Sequence, residues 1–127
     1  MRKIIYIFTV FLMIISCSGV SPKGSGTPAA SFPDSGKASW YGGKFNGSST
    51  ASGEIFSEKA LTAAHPSLPF GSIVEVTNTE NNKKIKVRIN DRGPFTKGRI
   101  IDLSKEAFSR IADTNKGVID VSIKVIK

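Results

Sequence analysis

Three side chains in this sequence are placed to exchange protons. Glu54 closes the small-residue turn Thr50-Ala-Ser-Gly-Glu54, His65 closes Leu61-Thr-Ala-Ala-His65, and Asp91 follows the alternating run that ends in Ile89-Asn90. A carboxyl group presented by a turn but anchored to a rigid strand is a common layout for general acid–base chemistry. Each residue also has a plainer reading. Asn-Asp-Arg-Gly-Pro is a turn composition in which Asp91 bonds its own backbone. A surface glutamate is usually solvated, and a lone histidine is usually structural. Arg88 and Arg92 flank Asp91, and Asp102 stands just ahead of a helical pattern, where an aspartate ordinarily caps or turns.

The elements that must position these groups are short and mostly extended. In residues 84–90, Ile85, Val87 and Ile89 alternate with Lys84, Lys86 and Arg88, which predicts a central strand with one apolar and one basic side. It breaks at Gly93-Pro94, where Gly93 permits a positive φ. Residues 72–78 alternate in the same way, and Glu80-Asn-Asn-Lys83 makes the hairpin turn between the two runs. Strands are also expected over 37–41, 61–65 and 118–127, the last with Val121, Ile123 and Val125 on one face. A helix over 104–111 has Ser104 as its cap, Glu106 in its first turn, and Phe108 and Ile111 inward. Trp40 and Tyr41 are adjacent, so a strand sends them to opposite sides, one to the core and one to a ligand. About six short strands with one helix imply a mainly β, small closed barrel, which leaves no exposed sheet edge.

Residues 1–16 lie outside that barrel. Arg2 and Lys3 precede a 12-residue apolar run, 4–15, interrupted only by Thr9. The run is too short to span a bilayer and suits a signal-peptide core. Ile14-Ile-Ser-Cys17 resembles a bacterial lipobox with Ile in the usual Leu position, which makes Cys17 the expected lipidation site and mature N-terminus. Residues 17–36 then read as the lipidated cysteine and a Ser/Gly/Pro-rich linker, and 37–127 as the domain. Cys17 is the only cysteine and His65 the only histidine, so an internal disulfide is excluded and neither a metal site nor a cofactor is expected. The full chain carries a formal net charge of +8. A basic exported domain points to an anionic partner, and export together with the lack of basic runs interleaved with aromatics argues against nucleic acid.

Several blocks together resemble one known family. Ala38-Ser-Trp-Tyr-Gly42, Thr50-Ala-Ser-Gly-Glu54, Leu61-Thr-Ala-Ala-His65, Leu68-Pro-Phe-Gly71, Val76-Thr-Asn78, Val87-Arg-Ile-Asn-Asp-Arg-Gly-Pro-Phe95 and Arg99-Ile-Ile-Asp-Leu-Ser104 are similar, in order and spacing, to the signature blocks of the rare lipoprotein A (RlpA) family. The resemblance covers essentially all of residues 37–127. It implies a six-stranded double-psi β-barrel with one short helix. It also implies endolytic lytic transglycosylase activity on peptidoglycan strands stripped of stem peptides, with Glu54, His65 and Asp91 as the catalytic residues. Lipid anchoring fits the family as well, with the outer membrane's periplasmic face as the expected address. Many members add a C-terminal SPOR domain that binds denuded septal glycan, a feature the resembling blocks do not include.

The implied chemistry suits these side chains. Cleavage needs a protonated carboxyl at the leaving oxygen, and Asp91 takes that role, with its pKa expected to be raised in a groove. Arg88 and Arg92 are expected to point partly away, toward lactyl carboxylates of the glycan. Glu54 and His65 are expected to position the sugar and stabilise its positive charge. Trp40, Tyr41, Arg88, Arg92 and Asp102 are the candidate substrate contacts, and Asp102 is the rival acid. Two other readings stay open: a non-catalytic, expansin-like glycan-binding lipoprotein, and a hydrolase using Glu54 and Asp91 as a carboxylate pair. The expected partners are glycan strands and, through Cys17, a membrane, with the chain a monomer.

Overall fold

A computed structural model describes residues 33–127. The signal segment at 1–16, Cys17 and nearly all of the linker lie outside the described residues. Six strands follow in chain order: β1 (Ser35–Tyr41), β2 (Thr62–Ala64), β3 (Ile73–Asn78), β4 (Lys84–Asp91), β5 (Arg99–Ser104) and β6 (Val118–Val125), with the helix α1 (Lys105–Ser109) between β5 and β6. They close into a barrel in the order β1-β5-β2-β4-β3-β6. The neighbours β1/β5 and β2/β4 run parallel and the other pairs antiparallel. A hairpin cannot join parallel neighbours. The chain therefore crosses between strands by longer connections, and these carry Glu54 and the residues after His65.

Alternation fills the barrel. Val74 and Val76 of β3, Val87 and Ile89 of β4, Ile101 and Leu103 of β5, and Ile119, Val121 and Ile123 of β6 are all buried. Helix α1 covers one opening with Phe108, and Ile111 follows it into the core, both fully buried. Each contributes roughly 1.5–3 kcal/mol of apolar burial. Ser104 caps the helix by accepting from the Ala107 N–H at 3.1 Å. The 79–83 turn uses Asn82 at a φ of 64°, and Asn78 Nδ2 and Asn81 Nδ2 both donate to the Ile111 carbonyl. The hairpin is thereby tied to the end of α1.

Three expectations change. Residues 99–104 form a full strand, so Asp102 is a strand residue and not a turn or cap residue, while Ser104 caps the helix as expected. Val125 is 41% exposed, although its ladder partner Val74 is buried. β1 begins at Ser35, inside what composition assigns to the linker. Gly36 belongs there for a steric reason, since a Cβ on it would sit 2.7 Å from Ile100 Cγ2. Among the described residues no helix is long and apolar enough to cross a membrane.

Candidate active site

Two irregularities in the parallel pairs aim the site. In β2/β4, Ala63 pairs with Ile89 but Ala64 pairs with Asp91, leaving Asn90 as the extra residue. Without that bulge Asp91 would follow Val87 and Ile89 onto the core face, because side chains alternate along a strand. With it, Asn90 is buried and Asp91 reaches the barrel's mouth, half-buried. In β1/β5, Lys37 pairs with Arg99 but Ala38 pairs with Ile101, so Ile100 is the extra residue. Ile100 and Ile101 are both buried, while Arg99 and Asp102 come out together.

These two carboxylates line one cleft of about 380 Å³ with Trp40, Tyr41, Phe45, Ala64, Arg92 and Arg99. That volume lies in the range of ligand pockets. Asp91 Oδ1 accepts from the backbone N–H groups of Ala51 and Arg92, both at 2.9 Å. Asp102 is held otherwise: Arg99 Nη2 donates to its two oxygens at 2.7 and 2.9 Å, and the Ser39 hydroxyl donates to Oδ1.

Trp40 and Tyr41 do not divide between core and ligand as adjacent strand residues should; both line the cleft. β1 ends at Tyr41, and each ring leans on a side chain at the strand's end. Trp40 packs on Phe108 with centroids 6.4 Å apart and donates its indole N–H to the Thr114 carbonyl at 3.0 Å. Tyr41 stacks on Phe56 at 4.5 Å and meets Phe45 edge-on at 5.9 Å. Its hydroxyl is buried and makes no hydrogen bond of ordinary geometry. Asp91 nevertheless lies near enough to couple with it. Burial first, and then the charges of Asp91 and Asp102, push the phenol well above its ordinary pKa.

Glu54 and His65 reach the same end of the barrel without lining this cleft. Glu54 Oε2 accepts from Arg88 Nη1 at 2.6 Å and its Oε1 accepts from Asn90 Nδ2 at 3.0 Å. Those two hydrogen bonds, Arg88 foremost, hold the carboxyl below its usual pKa. The Glu54 turn is fastened to Asp91 through Ala51, and its carboxylate to Asp91's neighbour Asn90. The side chain of His65 is buried, and its backbone N–H donates to the Asp91 carbonyl at 3.1 Å. Its Nδ1 accepts from the N–H groups of Ser67 and Leu68, both at 3.1 Å. A nitrogen that accepts carries no proton, so the neutral ring is protonated on Nε2. Burial, and then the charge of Arg92, lower its pKa to about 4.

The two arginines turn to other partners. Arg88 pairs with Glu54. Arg92 lines the cleft with its guanidinium over the Phe70 ring, 4.0 Å from the centroid, and donates to the His65 carbonyl. Asp91, Asp102, Trp40, Tyr41 and Arg92 therefore share one cleft, while Glu54, His65 and Arg88 buttress its wall. Phe45, Phe56, Ser39 and Arg99 escaped the reading of the sequence. The Arg99/Asp102 spacing of three was the one available signal, and it makes an ion pair here only through the β5 bulge. Among the described residues no cluster of three or more metal-binding side chains forms.

A family model described as lytic transglycolase matches residues 34–123. The endolytic peptidoglycan transglycosylase RlpA of Vibrio cholerae is 55% identical over 95 residues, 75% of this chain and 36% of that protein. Its counterpart in Neisseria meningitidis is 50% identical over 97 residues, 76% of this chain and 41% of that protein. The chain thus spans well under half the length of these curated relatives. Among solved structures, Streptomyces papain inhibitor is 26% identical with a TM-score of 0.61, covering 73% of this chain and 93% of that one. A Clavibacter michiganensis expansin in complex with cellohexaose is 21% identical with a TM-score of 0.58, covering 74% and 50%, and shares the fold. By the family match, the identities and the closed six-stranded barrel, this chain belongs to the lytic transglycolase family of double-psi β-barrels, alongside the RlpA proteins.

Proposed function

We propose that this chain is an endolytic peptidoglycan lytic transglycosylase. It cuts the MurNAc–GlcNAc bond in peptide-free glycan strands and leaves a 1,6-anhydroMurNAc end. The observation that carries the reading is Asp91: a carboxyl group in a sugar-sized cleft with aromatic walls, on a domain of the lytic transglycolase family.

Asp91 gives its proton to the glycosidic oxygen as the C1–O bond breaks. The muramic C6 hydroxyl attacks C1 and returns its proton to the Asp91 carboxylate, so no water is consumed and the acid is regenerated. Intramolecular attack removes much of the entropic barrier, since effective molarities reach about 10⁵ M or more. One positioned acid–base group adds roughly 10²–10⁴-fold. Asp102, already engaged by Arg99 and Ser39, is the less free proton donor of the two and serves as a fixed anion beside the sugar. Glu54 holds Asn90 and Arg88 behind the cleft wall. His65, neutral at working pH, places no extra positive charge near the developing oxocarbenium ion. Trp40 and Tyr41 supply ring faces for the sugars.

A second reading, a non-catalytic glycan binder, draws on two facts. Asp91 Oδ1 already accepts two backbone N–H groups, as a purely structural aspartate would. The barrel also shares its fold with an expansin solved with cellohexaose. Mass spectrometry of peptide-free strands incubated with the protein separates the readings. Anhydromuramic ends mean transglycosylase, reducing ends mean a hydrolase, and intact strands with measurable binding mean a binder.

In this proposal Cys17 is lipidated and tethers a monomeric barrel, through residues 18–34, to the periplasmic face of the outer membrane. Metabolic palmitate labelling that persists in a Cys17→Ala chain would refute the anchor.

A further inference from the structure

A second cleft, about 280 Å³, adjoins Trp40 and is lined by Glu58, Lys59, Lys105, Glu106, Ser109 and Thr114. Trp40 joins the two clefts. Its ring lines the first, its indole N–H donates to the carbonyl of Thr114, and Lys105 Nζ lies over the ring, 5.5 Å from the centroid. Gly42, just past Tyr41, lets the walls close on the strand end. A Cβ on it would fall 2.9 Å from Glu58 Oε1 and 3.4 Å from Lys105 Cβ.

The charges of this second cleft are unevenly matched. Glu106 is paired with Arg110 at 2.7 Å. Glu58 accepts from the backbone N–H of Gly43 and has no cationic partner among the described residues. Among the same residues neither Lys59 nor Lys105, both exposed, has a carboxylate within ion-pair distance. Two ammonium groups against the one uncompensated carboxylate of Glu58 leave a single net positive charge. It sits beside an aromatic ring that also faces the proposed catalytic cleft.

We propose that the second cleft is a saccharide subsite in which Lys59 and Lys105 recognise the free lactyl carboxylate of a neighbouring muramic residue. This rests on the glycan reading given above and deepens it. A peptide-free strand carries one such carboxylate per disaccharide. In a strand that keeps its stems the same group is tied up as an uncharged amide bearing a peptide. The site therefore selects for strands from which hydrolysis of that amide has already removed the peptide. An uncharged polymer of N-acetylglucosamine lacks the group altogether.

Trp40 is the only tryptophan, so its emission reports on both clefts. The test titrates the whole chain, carrying Asp91→Asn to prevent turnover, with peptide-free strands and separately with chitohexaose, with and without K59Q/K105Q. The strands are expected to bind more tightly than chitohexaose at low salt, with the gap narrowing as salt rises. The double lysine variant is expected to raise the Kd for strands about three- to tenfold and leave chitohexaose unchanged. An unchanged Kd for strands, or an equal loss for both glycans, overturns the subsite. Anhydro ends released by the chain with Asp91 intact keep the transglycosylase reading standing whichever way the lysine result falls. Failure to bind or cleave either glycan removes both proposals together.

Discussion

The backbone N–H of Ala51 donates to Asp91 Oδ1 at 2.9 Å, one bond that fastens the turn bearing Glu54 to the carboxyl group at the mouth of β4. Asparagine keeps an oxygen able to accept this bond and the one from Arg92, but it carries no acid proton. Asp91→Asn is therefore expected to lower anhydro-product formation by about 10²–10⁴-fold while glycan binding and thermal midpoint stay near wild type. Asp91→Ala loses the acceptor as well and should melt at a lower temperature. Product analysis and thermal scans on the two variants separate the chemical role from the structural one. Undiminished turnover in the asparagine variant would move the acid to Asp102.

His65 is held neutral, and that makes a prediction for stability against pH. Its pKa falls from an unfolded value near 6.5 to about 4 in the fold. Between those values the unfolded chain binds more protons, so stability rises with pH across the window and is lost as pH falls through it. The full effect is on the order of 3 kcal/mol, present above pH 6.5 and largely gone near pH 4. Carboxylates titrate in the same range, so the quantity to measure is the difference between wild type and His65→Gln in urea unfolding from pH 4 to 8. The wild type should show the steeper rise with pH. Parallel curves would remove His65 as the cause.

Much of this barrel was legible. Strands β3 and β4 announce themselves by strict alternation, and Asn82 takes the positive φ that its turn suggested. Ser104 caps α1 as its position implied. β5 was not read as a strand because Ile100 and Ile101 are both buried, which breaks the period of two, and the cause is a bulge that only pairing with β1 creates. The sharing of one cleft by Asp91 and Asp102 was hidden for the same reason. Register shifts are set between strands far apart in sequence, and no local pattern records them. The resemblance suggested the chemistry proposed here, but the division between cleft-lining residues and the Glu54–Arg88–Asn90 buttress behind them came only with the coordinates.

That buttress has a kinetic signature. The Glu54–Arg88 pair is largely solvent-exposed, so its loss should move stability little. Its other bond, to Asn90 Nδ2, steadies the residue whose bulge aims Asp91. Glu54→Gln keeps an oxygen for Asn90 and gives up the charge opposite Arg88, whereas Glu54→Ala gives up both. The expected order of kcat is wild type, then Glu54→Gln, then Glu54→Ala, with Kd for peptide-free strands changing less than kcat. Steady-state release of anhydro ends checks the order. Equal rates for glutamine and alanine would show that the charge matters and the bond to Asn90 does not.

Tyr41 combines a buried hydroxyl with two carboxylates nearby and no hydrogen bond of ordinary geometry. Its pKa is pushed up, so the phenol keeps its proton at any working pH and stands as a buried donor beside Asp91. A buried polar group without a good partner costs stability, on the order of 1–3 kcal/mol. Removing it is therefore neutral or favourable for the fold. The ring of Phe at this position retains the stack on Phe56, 4.5 Å away in the native protein. Tyr41→Phe is expected to melt at the same temperature or higher while kcat falls about tenfold or more, the loss of one donor in a shielded site. Thermal scans and product release on the same preparation give both numbers. A variant that loses stability together with activity would show that the hydroxyl serves the fold, whereas a stable and slow enzyme places it with Asp91 in the handling of the proton.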